Sequence, residues 1–192
     1  MSSSLGNIKT SVDTIIANGI QVAPIHLIYW QTDPNQYTVG CLDAYDSDGL
    51  GIDLLYHYAF SPTSDTAMYT HERIPFEGYD LEFRMRYAMG DSSTGNVHWM
   101  LCLDSVSNDT AKNPVTTWAE WDADDENAYT IVHTPSSVGR TYTDLKFTIP
   151  SSAYSVGDTL KFALKRSGAH ADDTRSGYAL VEDVIDLVPV LP

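Results

Sequence analysis

The sequence predicts an all-β protein, an antiparallel jelly-roll-like β-sandwich of about ten strands with a short N-terminal helical arm. Two observations support this prediction. From Ile25 onward, apolar and polar residues alternate with a period of two, which is typical of strands with one buried face. These runs are short and are separated by Gly, Pro, Asp and Ser, the residues that favour turns. The chain of 192 residues is long enough to bury the core of one such domain.

The first 22 residues differ from the rest and predict the arm. An a/d spacing over about two heptads is formed by four apolar residues, namely Leu5, Ile8, Val12 and Ile15. A helix this short is marginally stable alone in water, so its apolar stripe needs a partner. That partner is either the chain's own domain or another subunit, and we assign the four residues to oligomerisation or docking. The β-sandwich domain is predicted over residues 25–192.

Ten strands are predicted within this domain, and the clearest is Tyr79–Met89. In this strand, Glu82, Arg84 and Arg86 alternate with apolar residues. One face is therefore expected to be buried in the core and the other exposed to solvent. The other nine are His26–Trp30, Tyr37–Asp43, Ile52–Phe60, Ala67–Ile74, Asn96–Asp104, Tyr129–His133, Asp144–Ile149, Thr159–Arg166 and Tyr178–Val188.

The strand around Trp99 departs from the alternating pattern. Trp99 shares the inward face with other apolar residues, but Met100 and Cys102 on the opposite face are apolar too. This pattern predicts that the second face is covered, either by the arm or by a neighbouring subunit. We therefore include Met100 among the assembly residues. Cys41 and Cys102 both fall in predicted strands and are interpreted as buried thiols rather than as a disulfide.

Composition excludes several classes of partner. The formal net charge is −15, from 26 acidic and 11 basic residues, which disfavours nucleic acid and anionic membranes as partners. No apolar run has the length of a membrane helix. The start MSSSLGNIKT has neither a basic region nor an apolar core, so no signal peptide is predicted and synthesis in a cytoplasm is expected.

The search for catalytic motifs favours a non-enzymatic protein. The segment Gly90–Gly95 lacks the spacing of a nucleophile elbow and is interpreted as a hairpin loop. The six histidines have no zinc-site spacing, and no cofactor motif is present. Glycoside hydrolysis needs a pair of carboxylates, and Glu72 and Glu82 lie in predicted strands. Both are interpreted as outward-facing residues, which leaves a glycan hydrolase or lyase as the third alternative.

Two acidic loops are candidate calcium sites. Alternating carboxylates around a turn offer the oxygen ligands that Ca²⁺ prefers, although neither loop matches the full EF-hand pattern and a solvated acidic turn is the competing interpretation. The candidate ligands are Asp43, Asp46, Asp48, Asp53, Asp122 and Asp124.

Aromatic residues support a carbohydrate-binding alternative. Trp and Tyr side chains provide stacking surfaces for sugar rings. Trp118 and Trp121 lie in an irregular acidic stretch, where they are expected to be exposed. They are the candidates for a glycan-binding loop.

The last third of the chain combines three sequence features. Residues 157–188 contain a G-D-x-L-x-F-x-L-x-R strand, an Asp-rich turn and a final apolar strand. This combination resembles the closing segment of β-sandwich proteins from tailed-bacteriophage virions. The similarity extends over about residues 67–188 and includes Arg73-Ile74-Pro75 and the strand start Gly95-Asn96-Val97-x-Trp99. The matching residues of the pattern are Gly157, Asp158, Leu160, Phe162, Leu164, Arg166, Asp172, Asp173 and Thr174.

This resemblance implies a non-enzymatic structural protein of a phage particle. The implied roles are capsid decoration, a head fibre, or a tail or neck appendage, acting through protein–protein assembly. The expected partners are other virion proteins and further copies of this chain, with a trimer favoured, and the expected location is the virion, assembled in the host cytoplasm. A carbohydrate-binding, receptor-binding module that uses exposed aromatic residues, with or without Ca²⁺, remains the alternative.

Overall fold

The computed structural model describes six stretches of the chain, residues 25–27, 31–32, 57–75, 78–106, 128–182 and 185–190. The predicted arm and the predicted strand Tyr37–Asp43 lie outside the described residues. The described strands are β1 Ile25–Leu27, β2 Gln31–Thr32, β3 His57–Phe60, β4 Asp65–Arg73, β5 Asp80–Met89, β6 Val97–Val106, β7 Ala128–His133, β8 Thr143–Ile149, β9 Thr159–Ser167, β10 Ala179–Glu182 and β11 Ile185–Val190.

Two antiparallel sheets form a sandwich, which confirms the predicted fold class. In sheet A, β8 pairs with one edge of β5, and β10 and β11 pair with the other; β3 then pairs with β10, and β1 with β11. Sheet B has the order β2-β4-β9-β6-β7. Most successive strands alternate between the two sheets, as in jelly-roll folds.

This alternation corrects one prediction from the sequence. The segment Gly90–Gly95 was expected to form a hairpin loop, but β5 belongs to sheet A and β6 to sheet B. The loop therefore crosses from one sheet to the other at one end of the sandwich. A hairpin and a crossover have similar turn residues, and only the pairing of the strands distinguishes them.

The last predicted strand, Tyr178–Val188, is two strands in the structure. Along β5, Val181 in β10 lies opposite Tyr87, and Asp186 in β11 lies opposite Arg84. The chain therefore advances five residues from Val181 to Asp186 while β5 advances three, from Tyr87 to Arg84. The register between the paired strands changes by two residues. Because side chains alternate with a period of two, such a change keeps the same residues facing the core. The alternating apolar pattern of the sequence therefore does not reveal that β10 and β11 are separate strands.

The inner faces of the two sheets share one core. Trp99 is fully buried, as predicted, and its ring contacts Phe60 and Tyr87 edge to face at centroid distances of 5.1 and 5.2 Å. Phe83 of sheet A packs on Phe162 of sheet B at 5.7 Å. Such aromatic pairs add to the stabilisation that burial of their apolar area provides. The core thus fixes how the sheets stack and where the loops at their ends meet.

The outer face of sheet B carries a second, smaller apolar cluster. Its buried members are Ala67, Tyr69, Cys102 and Ala163. Met100 lies on the same face at 5% exposure, and its Sδ accepts a hydrogen bond from Ser167 Oγ at 3.0 Å. The covering of this face by the arm or by a neighbouring subunit stays a prediction. The assembly role of Met100 stays a prediction.

Candidate functional site

A buried arginine braces one end of the sandwich. Arg166 continues the inward-facing positions of β9 and is 0% exposed. Its Nε and Nη2 donate to the two carboxylate oxygens of Asp173 at 2.9 and 2.8 Å. Nη1 and Nη2 also donate to the backbone carbonyls of Phe60, Arg175 and Gly177. All five N–H groups of the guanidinium are therefore used. We call this arrangement the arginine clamp.

The clamp holds the Asp-rich turn against β6. Asp173 also accepts a hydrogen bond from the backbone N–H of His98 at 3.1 Å. The next residue, Thr174, accepts the N–H of Asn96 at its Oγ1 at 2.9 Å, and the N–H groups of Thr174 and Arg175 donate to the carbonyl of Asn96. The motif that resembles phage proteins thus fastens a crossover loop to a core strand.

Arg175 extends the clamp to two further loops. It is 1% exposed, and its Nη2 donates to the carbonyls of Asp91 and Ser136 at 3.2 and 3.1 Å. Its Nε lies 3.8 Å from the Asp91 carboxylate. Three loops of the chain meet at this one side chain. Nε and Nη1 make no hydrogen bond within the part of the chain that the structure describes, so Nη2 supplies the bonds of this side chain.

A polar pocket opens beside the clamp on the outer face of sheet B. Its volume is about 480 Å³, and it is lined by Asp65, His98, Met100, Thr130, Ser167, Ala169 and His170. The rings of His98 and His170 stack with their centroids 4.1 Å apart and their planes 9° from parallel. Burial lowers the pKa of His98 and the neighbouring His170 lowers it further, whereas nearby carboxylates act in the opposite direction. The His98 ring is therefore neutral at pH 7.

A second histidine, His133, forms a hydrogen bond between the two sheets. Tyr87 Oη and His133 Nδ1 are 2.6 Å apart. Burial raises the pKa of Tyr87 to about 12 and lowers the pKa of His133. The phenol therefore stays protonated and donates to a neutral imidazole at physiological pH. This bond supports the packing of β7 on β5 across the core.

The outer face of sheet A forms an open groove lined by charged side chains. Its volume is about 570 Å³, within the range of roughly 300–1,000 Å³ that is usual for small-ligand sites. The groove is shaped by β5, β8, β10 and β11, with lining residues Glu82, Arg84, Met85, Arg86, Asp144, Leu145, Lys146, Glu182 and Asp186. We call it the outer groove.

In one half of the outer groove, which we call the closed half, the charged side chains are hydrogen-bonded to Glu82. Glu82 Oε2 accepts from Arg84 Nε at 2.8 Å, and Glu82 Oε1 accepts from Lys146 Nζ at 2.9 Å. These hydrogen bonds, from Lys146 first and then from Arg84, lower the pKa of Glu82. Arg84 and Lys146 are thus both bound to Glu82.

The other half of the outer groove is open and centres on Arg86. Its guanidinium carbon lies 5.0 Å from the centroid of the Tyr142 ring. Its Nε is 3.3 Å from an Asp144 oxygen and its Nη1 is 3.8 Å from a Glu182 oxygen, without hydrogen-bond geometry to either. The Arg86 side chain is 55% exposed. Its N–H groups make no hydrogen bond to other residues that the structure describes.

The two glutamates weighed for hydrolysis are not brought together. Glu82 faces outward, as predicted, within the ion pairs above. Glu72 lies opposite Leu160 of the core, and directly opposed residues in an antiparallel pair share a face. The prediction that Glu72 faces outward is therefore wrong. Glu72 is at a core-facing position near the end of β4. It is partly exposed there, which accommodates its charge.

Most residues predicted as sites fall outside the described part of the chain. This applies to the calcium candidates Asp43, Asp46, Asp48, Asp53, Asp122 and Asp124, to Trp118 and Trp121, and to Leu5, Ile8, Val12 and Ile15. Among the residues that are described, no three His, Cys, Asp or Glu side chains come close enough to hold a metal ion. The same stretches contain no helix that is long and apolar enough to cross a membrane.

Sequence reasoning did not identify the outer groove. The alternating charged residues of β5 and β8 predicted a solvent-exposed face. Arg86 was correctly placed on that face. The pairing that places Asp144 opposite Arg86 was not visible, because any outward position looks alike until the register is known.

No family model and no curated protein matches the sequence. Solved structures with a similar fold include a family 35 carbohydrate-binding module, CBM35 from Cellvibrio japonicus Abf62, at 12% identity and a TM-score of 0.47, covering 86% of this chain and 93% of that one. They also include the arabinose-bound α-L-arabinofuranosidase MgGH51, at 13% identity and a TM-score of 0.47, covering 88% of this chain.

A third similar structure is the enzymatically active domain of tailspike protein 4 of bacteriophage CBA120, at 13% identity and a TM-score of 0.40, covering 84% of this chain. The present chain spans 25% of the arabinofuranosidase chain and 19% of the tailspike chain. The activities and ligands of these proteins belong to them alone.

Proposed function

We propose that the chain is a non-enzymatic structural protein of a tailed-bacteriophage particle, acting through protein–protein assembly as a capsid decoration, head-fibre or tail-associated component. Other virion proteins and further copies of this chain are its partners, with a trimer favoured. The proposal is supported by the resemblance of residues 157–188 to phage virion proteins.

The arginine clamp is the structural observation that carries this proposal. The charged residues of the phage-like motif are Asp158, Arg166, Asp172 and Asp173. Arg166 and Asp173 bind each other and backbone groups. Asp158 accepts hydrogen bonds from Ser105 Oγ and the Ser155 N–H at 2.7 and 2.9 Å. These groups brace loops and do not converge on a reactive centre. A motif that serves to stabilise a scaffold supports a structural role.

The direct test is to locate the chain in particles. Virions of the phage that encodes it are purified by density gradient, and the chain is quantified by mass spectrometry against the major capsid protein. The expected result is a fixed copy number that stays with the particle through repeated banding. Expression of the chain in infected cells without any in the banded particles would refute the proposal.

The self-assembly part is tested on the purified full-length chain by light scattering. Ile8→Asp combined with Val12→Asp places two charges on the predicted apolar stripe and is expected to reduce the oligomer to a monomer with the sandwich still folded. Asn7→Asp combined with Thr14→Asp adds the same two charges off the stripe and should leave the mass unchanged. A wild-type mass for the Ile8/Val12 variant would contradict the role of the arm.

Carbohydrate binding is the second candidate function, and the outer groove favours it. Its open half presents hydrogen-bond donors and acceptors side by side at a solvent-accessible surface, which suits polyhydroxylated ligands. A glycan array with the full-length chain tests this candidate. Binding to a defined group of glycans is expected, and an array with no specific signal would argue against it.

A further inference from the structure

We propose that the open half of the outer groove is a subsite for the vicinal hydroxyl groups of a neutral sugar, with Arg86 as the donor and Asp144 and Glu182 as the acceptors. This inference rests on the second candidate function, carbohydrate binding, and names its ligand class and its position. It does not depend on the presence of the chain in a phage particle.

The guanidinium of Arg86 is held in place without using its donors. The guanidinium carbon of Arg86 lies over the Tyr142 ring, 5.0 Å from its centroid, and a planar guanidinium presents its N–H groups around its edge. The two flanking carboxylates keep it between them by charge, at 3.3 and 3.8 Å. The result is a pre-positioned fork whose N–H groups are available to a ligand.

The charges around Arg86 favour a neutral ligand over an anion. One cation lies between two carboxylates, so the subsite carries a formal charge of about −1. A carboxylate or phosphate on the ligand would add a further negative charge beside Asp144 and Glu182. A hydroxyl group instead accepts from the guanidinium and donates to a carboxylate, because it carries both functions. Two adjacent hydroxyls match the alternation of acceptor, donor and acceptor across the groove.

Exposure differs along the groove in a way that supports this assignment. The Glu182 side chain is 17% exposed and forms an inner wall, whereas the Asp144 side chain is 86% exposed at the rim. A ligand seated on Arg86 would reach one carboxylate inside and one at the edge. In the other half, the Glu82 carboxylate is already bound by Arg84 and Lys146.

The test measures the binding of the full-length chain to neutral trisaccharides by calorimetry. The probes are cellotriose, maltotriose, mannotriose and β-1,4-galactotriose, with trigalacturonate as the charged counterpart. Arg86→Lys keeps the positive charge but removes the fork, and it should weaken the best neutral probe by about tenfold or more. Arg84→Lys is the matched control in the closed half, and it should change that affinity by less than about threefold. Circular dichroism melting checks that each variant is folded.

The outcomes separate this subsite from the candidate function. Loss of binding in Arg86→Lys but not in Arg84→Lys supports the subsite. Sugar binding that Arg86→Lys leaves unchanged overturns the subsite and keeps carbohydrate binding elsewhere on the chain. Tighter binding of trigalacturonate than of every neutral probe overturns the neutral ligand class. An absence of binding to all probes and to a glycan array overturns both.

Discussion

The arginine clamp and the outer groove use the same residue types for opposite purposes. Arg166 and Arg86 both lie on strands and both face carboxylates. Arg166 is 0% exposed and uses all five of its N–H groups, whereas Arg86 is 55% exposed and makes ion pairs but no hydrogen bond with the described residues. An ion pair shielded from water is strongly coupled to the fold, and one in solvent is not. Burial therefore distinguishes the arginine that braces the sandwich from the one that we propose as a ligand donor.

The largest expected effect comes from breaking the clamp. Arg166→Met leaves the buried carboxylate of Asp173 without its cation, and we expect the free energy of unfolding to fall by about 3–5 kcal/mol. Guanidinium denaturation followed by tryptophan fluorescence measures this loss. The double variant Arg166→Met with Asp173→Leu removes both charges and should recover part of it. A change below about 1 kcal/mol in Arg166→Met would show that the clamp is not structural.

A smaller effect is expected at Gly95, where two loops pack closely beside the clamp. Gly95 has φ = 132°, and a Cβ there would lie 2.8 Å from the backbone carbonyl oxygen of Thr174. Gly95→Ala should therefore lower the free energy of unfolding by about 2–4 kcal/mol, through backbone strain and overpacking together. Gly78 has φ = 77° with nothing within 4 Å, so Gly78→Ala should lower it by only about 1 kcal/mol. Equal losses in thermal melts would mean that the Thr174 contact is unimportant.

The histidines beside the clamp predict that acid destabilises the protein. Burial lowers the pKa of His98 and of His133 in the folded state, so the unfolded chain binds more protons as the pH falls through the ordinary histidine range. Their contribution is present above about pH 6.5 and decreases below it, with a slope of at most about 1.4 kcal/mol per pH unit for each extra proton.

Urea denaturation at a series of pH values tests this expectation. His98→Gln should reduce the slope of unfolding free energy between about pH 7 and pH 5. His71→Gln, at an exposed position of β4, serves as the control for replacing a histidine on the same sheet face. An unchanged slope in His98→Gln would contradict the assignment of His98 as a buried neutral ring.

The smallest effect is expected in the outer groove. Arg84 and Lys146 both pair with Glu82, but their side chains are 53% and 65% exposed. Arg84→Ala or Lys146→Ala should each change the free energy of unfolding by about 0.2–1 kcal/mol, with less effect at high salt. A loss comparable to that of Arg166→Met would remove the contrast between the two regions.

Much of the strand pattern was visible in the sequence. The predicted strand Tyr79–Met89 differs from β5 by one residue, and the inward parity of Leu81, Phe83 and Trp99 agrees with their burial. Alternation of apolar and polar residues is a local property, so it is readable without knowing the partner strand. Arg166 follows Leu160, Phe162 and Leu164 at alternate positions of β9, but its burial was not predicted.

The sites were less visible because they depend on residues far apart in the sequence. Arg86 and Asp144 face each other only through the β5–β8 register, and Glu182 joins them from β10. Asp173 was recognised as part of a motif, but its burial against Arg166 and its bond to the His98 backbone depend on the packing of a crossover loop. Local pattern contains no information about these pairings.

The sequence by itself determined the fold class, the core-facing residues and the acidic character of the chain, because alternation, turn residues and charge are properties of neighbouring positions. Only the tertiary structure decided that residues 90–96 cross between sheets, that the strand at the C-terminal end changes register, and that one arginine is sealed in a clamp while another lies open in a groove. These outcomes depend on strand pairing and burial, which set the surroundings of each charge and therefore its role.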